Sequence, residues 1–162
     1  MQNDSQYLKG NELEEKRWDF FICHAFQDAR EIAKPLSDGL NAKGLLSWYA
    51  DHSLKAGDKI RELIDFGLAR SRFGIVILSK QFLEMRWTQI ELNDLASREA
   101  EGKKVLLPVW YQVGFRDVYD YSPVLADRVA ISADKGLEYV VQRLWDIAKP
   151  PPLTKPVSEA ED

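Results

Sequence analysis

The chain has 162 residues, enough for one domain with a real core and too few for two. Its 45% hydrophobic and 30% charged residues are ordinary for a soluble globular protein, and a net charge of -4 argues against nucleic acid or an anionic membrane as main partner. The single cysteine, Cys23, excludes an internal disulfide framework and a thiolate zinc site, and fits a reducing, cytoplasmic setting.

In chain order, residues 1–16 are expected to be a polar leader without an apolar signal core. Trp18-Asp-Phe-Phe-Ile-Cys23 reads as a first buried strand, and His24 to Asp28 as a loop in which Asp28 can cap the next helix. In that helix Ile32, Leu36, Gly39 and Leu40 share one face, Pro35 should kink it or displace its start, and Gly44 ends it. Leu45 to Tyr49 is expected as the second strand and Asp51 to Gly57 as a polar loop: a lid, a subunit contact or plain surface. Ile60, Leu63, Ile64, Gly67 and Leu68 predict a helix over residues 58–70.

Phe73-Gly-Ile-Val-Ile-Leu78 is apolar without alternation, the mark of a strand buried on both faces of a parallel sheet. A polar loop from Ser79 to Arg86 should follow, then a helix from Thr88 to about Glu101. Lys104 to Trp110 is the fourth strand; its Pro108 implies a ladder position that is not needed, or a bulge. Residues 112–126 are expected to be irregular with a short helix, and Asp127 to Ser132 an edge-like fifth strand. Leu137, Val140, Val141, Leu144 and Ala148 line a last helix, and residues 150–162 form a proline-rich polar tail.

Strand and helix alternate about five times across residues 17–149. Right-handed crossovers then give an α/β, flavodoxin-like five-stranded parallel sheet of order 2-1-3-4-5 with helices on both faces. Its switch point lies between strands one and three, so the loop His24 to Asp28 should meet the segment of Trp87 and Glu91 in one crevice.

The crevice lacks a Gly-x-Gly-x-x-Gly turn and a Walker A loop, and Leu78-Ser79 stands where a phospho-accepting receiver needs an aspartate. His24, Ser53 and Asp51 could be assembled into a triad on paper, but no spacing supports it. Neither His24 nor His52 has metal-ligand company. Glu91 is the sharper candidate: it lies four residues after Trp87 at the border of a buried face, and a carboxylate against an indole is a usable acid, base or electrostatic stabiliser. The plainer reading is a first-turn glutamate favoured by the helix dipole. Trp87 alone is more often a packing residue, and Phe26 can either stack on a flat heterocycle or fold back onto the core.

Several stretches in this order and spacing resemble a TIR domain (Toll/interleukin-1 receptor domain) of the bacterial and archaeal kind. They are Phe20-Phe-Ile-Cys-His-Ala-Phe-Gln-Asp28, Gly44-Leu-Leu-Ser-Trp-Tyr49, Ser53-Leu-Lys-Ala-Gly-Asp58, Ala69 to Ser79, Trp87-Thr-Gln-Ile-Glu91 and Lys104 to Trp110. The resemblance implies the fold reached above and one of two functions. Many such domains cleave NAD+ at the nicotinamide–ribose bond, giving nicotinamide with ADP-ribose or a cyclic form. Others are non-catalytic scaffolds that act by TIR–TIR association. Trp87 and Glu91 match the family's Trp-x-x-x-Glu motif, which makes Glu91 the implied catalytic residue, holding the ribose hydroxyls and stabilising an oxocarbenium-like transition state. Phe26 matches a position that can stack on nicotinamide. Trp48, with Asp51, Ser53 and Lys55 of the loop through Lys59, matches the region beside the substrate and the inter-subunit contact. The implied partners are NAD+, as substrate and not as a retained cofactor, and further TIR domains through residues 51–59, with no metal. The implied setting is antiphage or effector signalling. The chain departs from the family at Cys23, often a serine, and at Ala50, where many relatives have an aspartate that Asp51 could replace by a one-residue shift.

Overall fold

The computed structural model describes residues 18–49, 60–85, 87–88, 90–93 and 106–149. The expected leader, the loop 51–57, most of the helix after Thr88 and the tail lie outside the described residues. Five strands form one sheet: β1 (Trp18–Cys23), β2 (Ser47–Tyr49), β3 (Ser71–Leu78), β4 (Leu106–Trp110) and β5 (Ile131–Ser132). Their order is β2-β1-β3-β4-β5 and every pairing is parallel, as the alternation of elements predicts.

The lack of polar alternation in β1 and β3 has a direct cause, because each face of the sheet has its own core. Phe21, Cys23, Val76, Leu78 and Leu106 point one way and Phe20, Ile22, Ile75, Ile77, Leu107 and Val109 the other. On the second face lie α1 (Lys34–Ala42), through Leu36 and Leu40, and the last helix, Leu137–Ala148, through Val140, Val141 and Leu144. The first face is covered by α2 (Ile60–Leu68), by α3 (Lys80–Leu83), by Leu92, and by α4 (Phe115–Tyr121) and α5 (Pro123–Ala126). The last helix is α6.

Five expectations need correction. Leu45 is not in β2: its N–H bonds back to Leu40 at 3.0 Å, and Gly44, at φ +91°, closes the helix end in the manner of a Schellman turn. Asp28 makes no side-chain cap; a 3₁₀ turn (Phe26–Asp28) and a π-helical turn (Ala29–Ala33) lead into α1, placing Pro35 in the first turn where no N–H is required. Ser79 to Arg86 is not simply a loop, since Ser79 caps α3 by accepting from the Phe82 N–H at 3.0 Å. Residues 112–126 hold two short helices, α4 and α5. The fifth strand shrinks to two residues because the Asp127 and Arg128 N–H groups bond back into α5 at 3.2 Å. Pro108 is tolerated in β4 because β5 joins it only from Val109 onward.

Candidate active site at the carboxyl edge of the sheet

β1 and β3 are neighbours in the sheet, with Cys23 opposite Val76, so the segments after them emerge side by side. They are tied together. The Ser79 hydroxyl donates to Asp28 Oδ2 at 2.5 Å, and both side chains are buried. Burial holds the Asp28 carboxyl above its ordinary range; the Ser79 bond and His24 oppose that shift and Glu31 adds to it. Glu31 in turn accepts from the Tyr111 hydroxyl at 3.2 Å, bringing the end of β4 to the same corner. The loop after β1 therefore meets the start of the segment after β3 at Ser79, eight residues before Trp87, and the fastener is a pair of residues to which sequence reasoning gave other roles or none. Nothing in the sequence signalled this pairing, since it spans 51 positions and depends on strand order.

From Ser79 the chain runs through α3 to Trp87. The Trp87 indole N–H donates to the Phe82 carbonyl at 2.8 Å, and its ring lies 5.2 Å from that of Phe82, which is fully buried. Trp87 is thus a packing anchor with one partly buried face. Thr88 and Glu91 form a capping box: the Thr88 N–H donates to Glu91 Oε1 at 2.8 Å, and the Glu91 N–H donates to the Thr88 hydroxyl at 3.1 Å. The Thr88 hydroxyl also donates to Oε1 at 3.1 Å. The carboxylate is half-buried and fixed at the start of the helical residues 90–93. The sequence Thr88-Gln-Ile-Glu91 carries the capping-box pattern in plain view, so this role was readable and was missed in its specific form.

The remaining candidates separate. Phe26 is 61% exposed on the turn after β1, so it does not fold back onto the core. Trp48 packs among Trp18, Phe21 and Phe66, and its indole N–H donates to Ser71 at the opposite, amino end of β3 (3.2 Å). That geometry makes Trp48 a support for the sheet, with its polar atom directed away from the carboxyl edge. Asp51, Ser53 and Lys55 lie outside the described residues, as does Ala50. His24 is buried, its Nδ1 2.8 Å from the Ala25 carbonyl oxygen and its ring 5.8 Å from Tyr49. Burial also pushes the Cys23 thiol far above its ordinary value, which leaves it unreactive. Among the described residues no group of three or more His, Cys, Asp or Glu could hold a metal ion, and no helix is long and apolar enough to cross a membrane.

The chain as a whole is similar to known proteins. The family model of the TIR domain matches residues 20–147. The NAD(+) hydrolase TcpA of Theionarchaea archaeon (strain DG-70-1) is 45% identical over 132 residues, 82% of this chain and 40% of that protein. The 2' cyclic ADP-D-ribose synthase AbTIR of Acinetobacter baumannii (strain 1295743) is 40% identical over 134 residues, 82% of this chain and 50% of that one. The chain therefore spans half or less of the length of these curated relatives. A metazoan TIR-STING receptor from C. gigas, solved with 2',3'-cGAMP, superposes with a TM-score of 0.60 at 19% identity, covering 83% of this chain and 40% of that one, and speaks for the fold alone. By the family-model match over most of its length and by the parallel strand order 2-1-3-4-5, the chain belongs to the TIR-domain family.

Proposed function

We propose that this TIR domain is an NAD+ glycohydrolase. The observation that carries the reading is the Glu91 carboxylate, held by Thr88 at the start of a helical segment that follows β3 in a parallel sheet, since such folds bind ligands beyond the carboxyl ends of their strands. The names of relatives at 40–45% identity support the substrate. In the proposed reaction the bond between the nicotinamide nitrogen and ribose C1′ breaks, and its electron pair leaves with nicotinamide, neutralising the pyridinium. No acid is needed for that leaving group. Glu91 holds the ribose hydroxyls and stabilises the positive charge left on C1′. Water captures C1′ to give ADP-ribose and a proton; a hydroxyl of the same molecule captures it to give a cyclic product. Exposed Phe26 stacks on the nicotinamide ring, Trp87 walls the ribose, Asp51, Ser53 and Lys55 border the substrate and the contact between copies, and Trp48 supports that region from within the sheet.

In this reading the domain works when copies associate through residues 51–59, in cytoplasmic defence or effector signalling, with NAD+ consumed and no cofactor kept. One observation favours a second reading, a non-catalytic scaffold: Glu91 and Trp87 both have structural work, as cap and as packing anchor. Incubating the chain with NAD+ across a rising protein concentration and measuring nicotinamide, ADP-ribose and cyclic product separates the two. Nicotinamide release that rises faster than protein concentration supports the enzyme. Robust self-association with no release at any concentration supports the scaffold.

A further inference from the structure

The proposed reaction gives Asp28 no role, yet it is a carboxylate with 2% of its surface exposed, at the switch point of the sheet. Burying a carboxylate is unfavourable unless its bonds compensate. Capping α3 does not require it, because Ser79 alone accepts from the Phe82 N–H. The Ser79 hydroxyl has one proton. It gives that proton to Asp28 and its lone pair to Phe82, so the two bonds fix each other's direction. Phe82 then passes the constraint on through its carbonyl, which holds the Trp87 indole N–H at 2.8 Å. Trp87 opens the segment whose next residue caps the helix with Glu91. At the other end, Asp28 is the last residue of the turn that begins at Phe26, and its backbone N–H bonds to the Ala25 carbonyl at 3.0 Å.

We infer that the Asp28–Ser79 pair is a latch that sets the Phe26 turn against the Trp87–Glu91 segment, making Asp28 a positioning residue for the site. The role rests on the NAD+ reading only for its effect on catalysis; the mechanical link stands on the four hydrogen-bonded groups themselves. His24, Glu31 and Tyr111 surround Asp28 electrostatically, and among the described residues Ser79 connects it to the β3 side.

The test uses the full chain and two readouts. The first is hydrogen exchange of indole N–H groups by NMR. Trp87 donates to Phe82 near the latch, and Trp48 donates to Ser71 at the far end of the strands, so Trp48 reports on general loosening. The second is nicotinamide release from NAD+. In Asp28→Ala the Trp87 indole should exchange at least about ten-fold faster with Trp48 unchanged, and turnover should fall about ten-fold or more, since small misplacements near reacting groups are costly. Asp28→Asn keeps an acceptor oxygen for Ser79 and should recover most of both losses. Asp28→Leu removes the same bond while leaving the Ser79 cap of α3 in place, and serves if Asp28→Ala does not fold. Equal acceleration of both indoles, or no change at Trp87, overturns the latch. If the parent cleaves no NAD+, the enzyme reading fails while the exchange comparison still decides the latch.

Discussion

Glu91 has two jobs competing for one side chain, and the capping box tells them apart. A glutamine at the third helical position can return the Thr88 N–H bond through its amide oxygen, but carries no charge to set against a developing cation. Thr88→Ala removes the other half of the box and should cost about 1 kcal/mol of stability; urea unfolding would measure it, and nicotinamide release should fall with it as Glu91 loses its fixed position. Asp28 makes a pH prediction. Its carboxyl is held above the ordinary aspartate value, mainly by burial, so the folded state binds that proton more tightly than the unfolded chain. Its contribution to stability is full below the ordinary value of 3.8 and is lost as pH rises through the raised one. Asp28→Asn, which cannot titrate, should therefore gain on the parent as pH climbs through that window; parallel stability curves from pH 3 to 7 would contradict the burial argument.

Among the elements, those with the strongest periodicity were legible in the sequence, and those shaped by their neighbours were not. The apolar run Phe73–Leu78 announced a strand covered on both faces, and the spacing of Leu137, Val140, Val141 and Leu144 announced α6. The starts of β2 and β5 were overdrawn because Leu45, Asp127 and Arg128 give their N–H groups back to a preceding helix, a competition that local pattern does not display. Close packing of α2 on the sheet was also unreadable. A Cβ on Gly67 would stand 2.4 Å from the Phe21 ring, which is fully buried in the sheet. Gly67→Ala should therefore destabilise the fold by about 1–3 kcal/mol through overpacking, despite the better helix propensity of alanine. Chemical denaturation would read this, and a stabilised Gly67→Ala would mean that α2 can slide outward without loss.

At the scale of the whole molecule, the order 2-1-3-4-5 brings Asp28, after β1, to Ser79, after β3. That convergence was legible, because alternating elements and right-handed crossovers leave few other arrangements. The fastener between the two loops was not, since it is a contact between residues that have no local relation. In the proposed reaction this site breaks the nicotinamide–ribose bond through the charge on Glu91. The direct measurement is nicotinamide release by the parent, Glu91→Gln and Glu91→Ala at equal, high protein concentration, with unfolding free energies taken on the same samples. Release is expected from the parent only, with Glu91→Gln close to the parent in stability and Glu91→Ala about 1 kcal/mol below it. Release by Glu91→Gln at the parent's rate would contradict the claim and leave Glu91 as a helix cap alone.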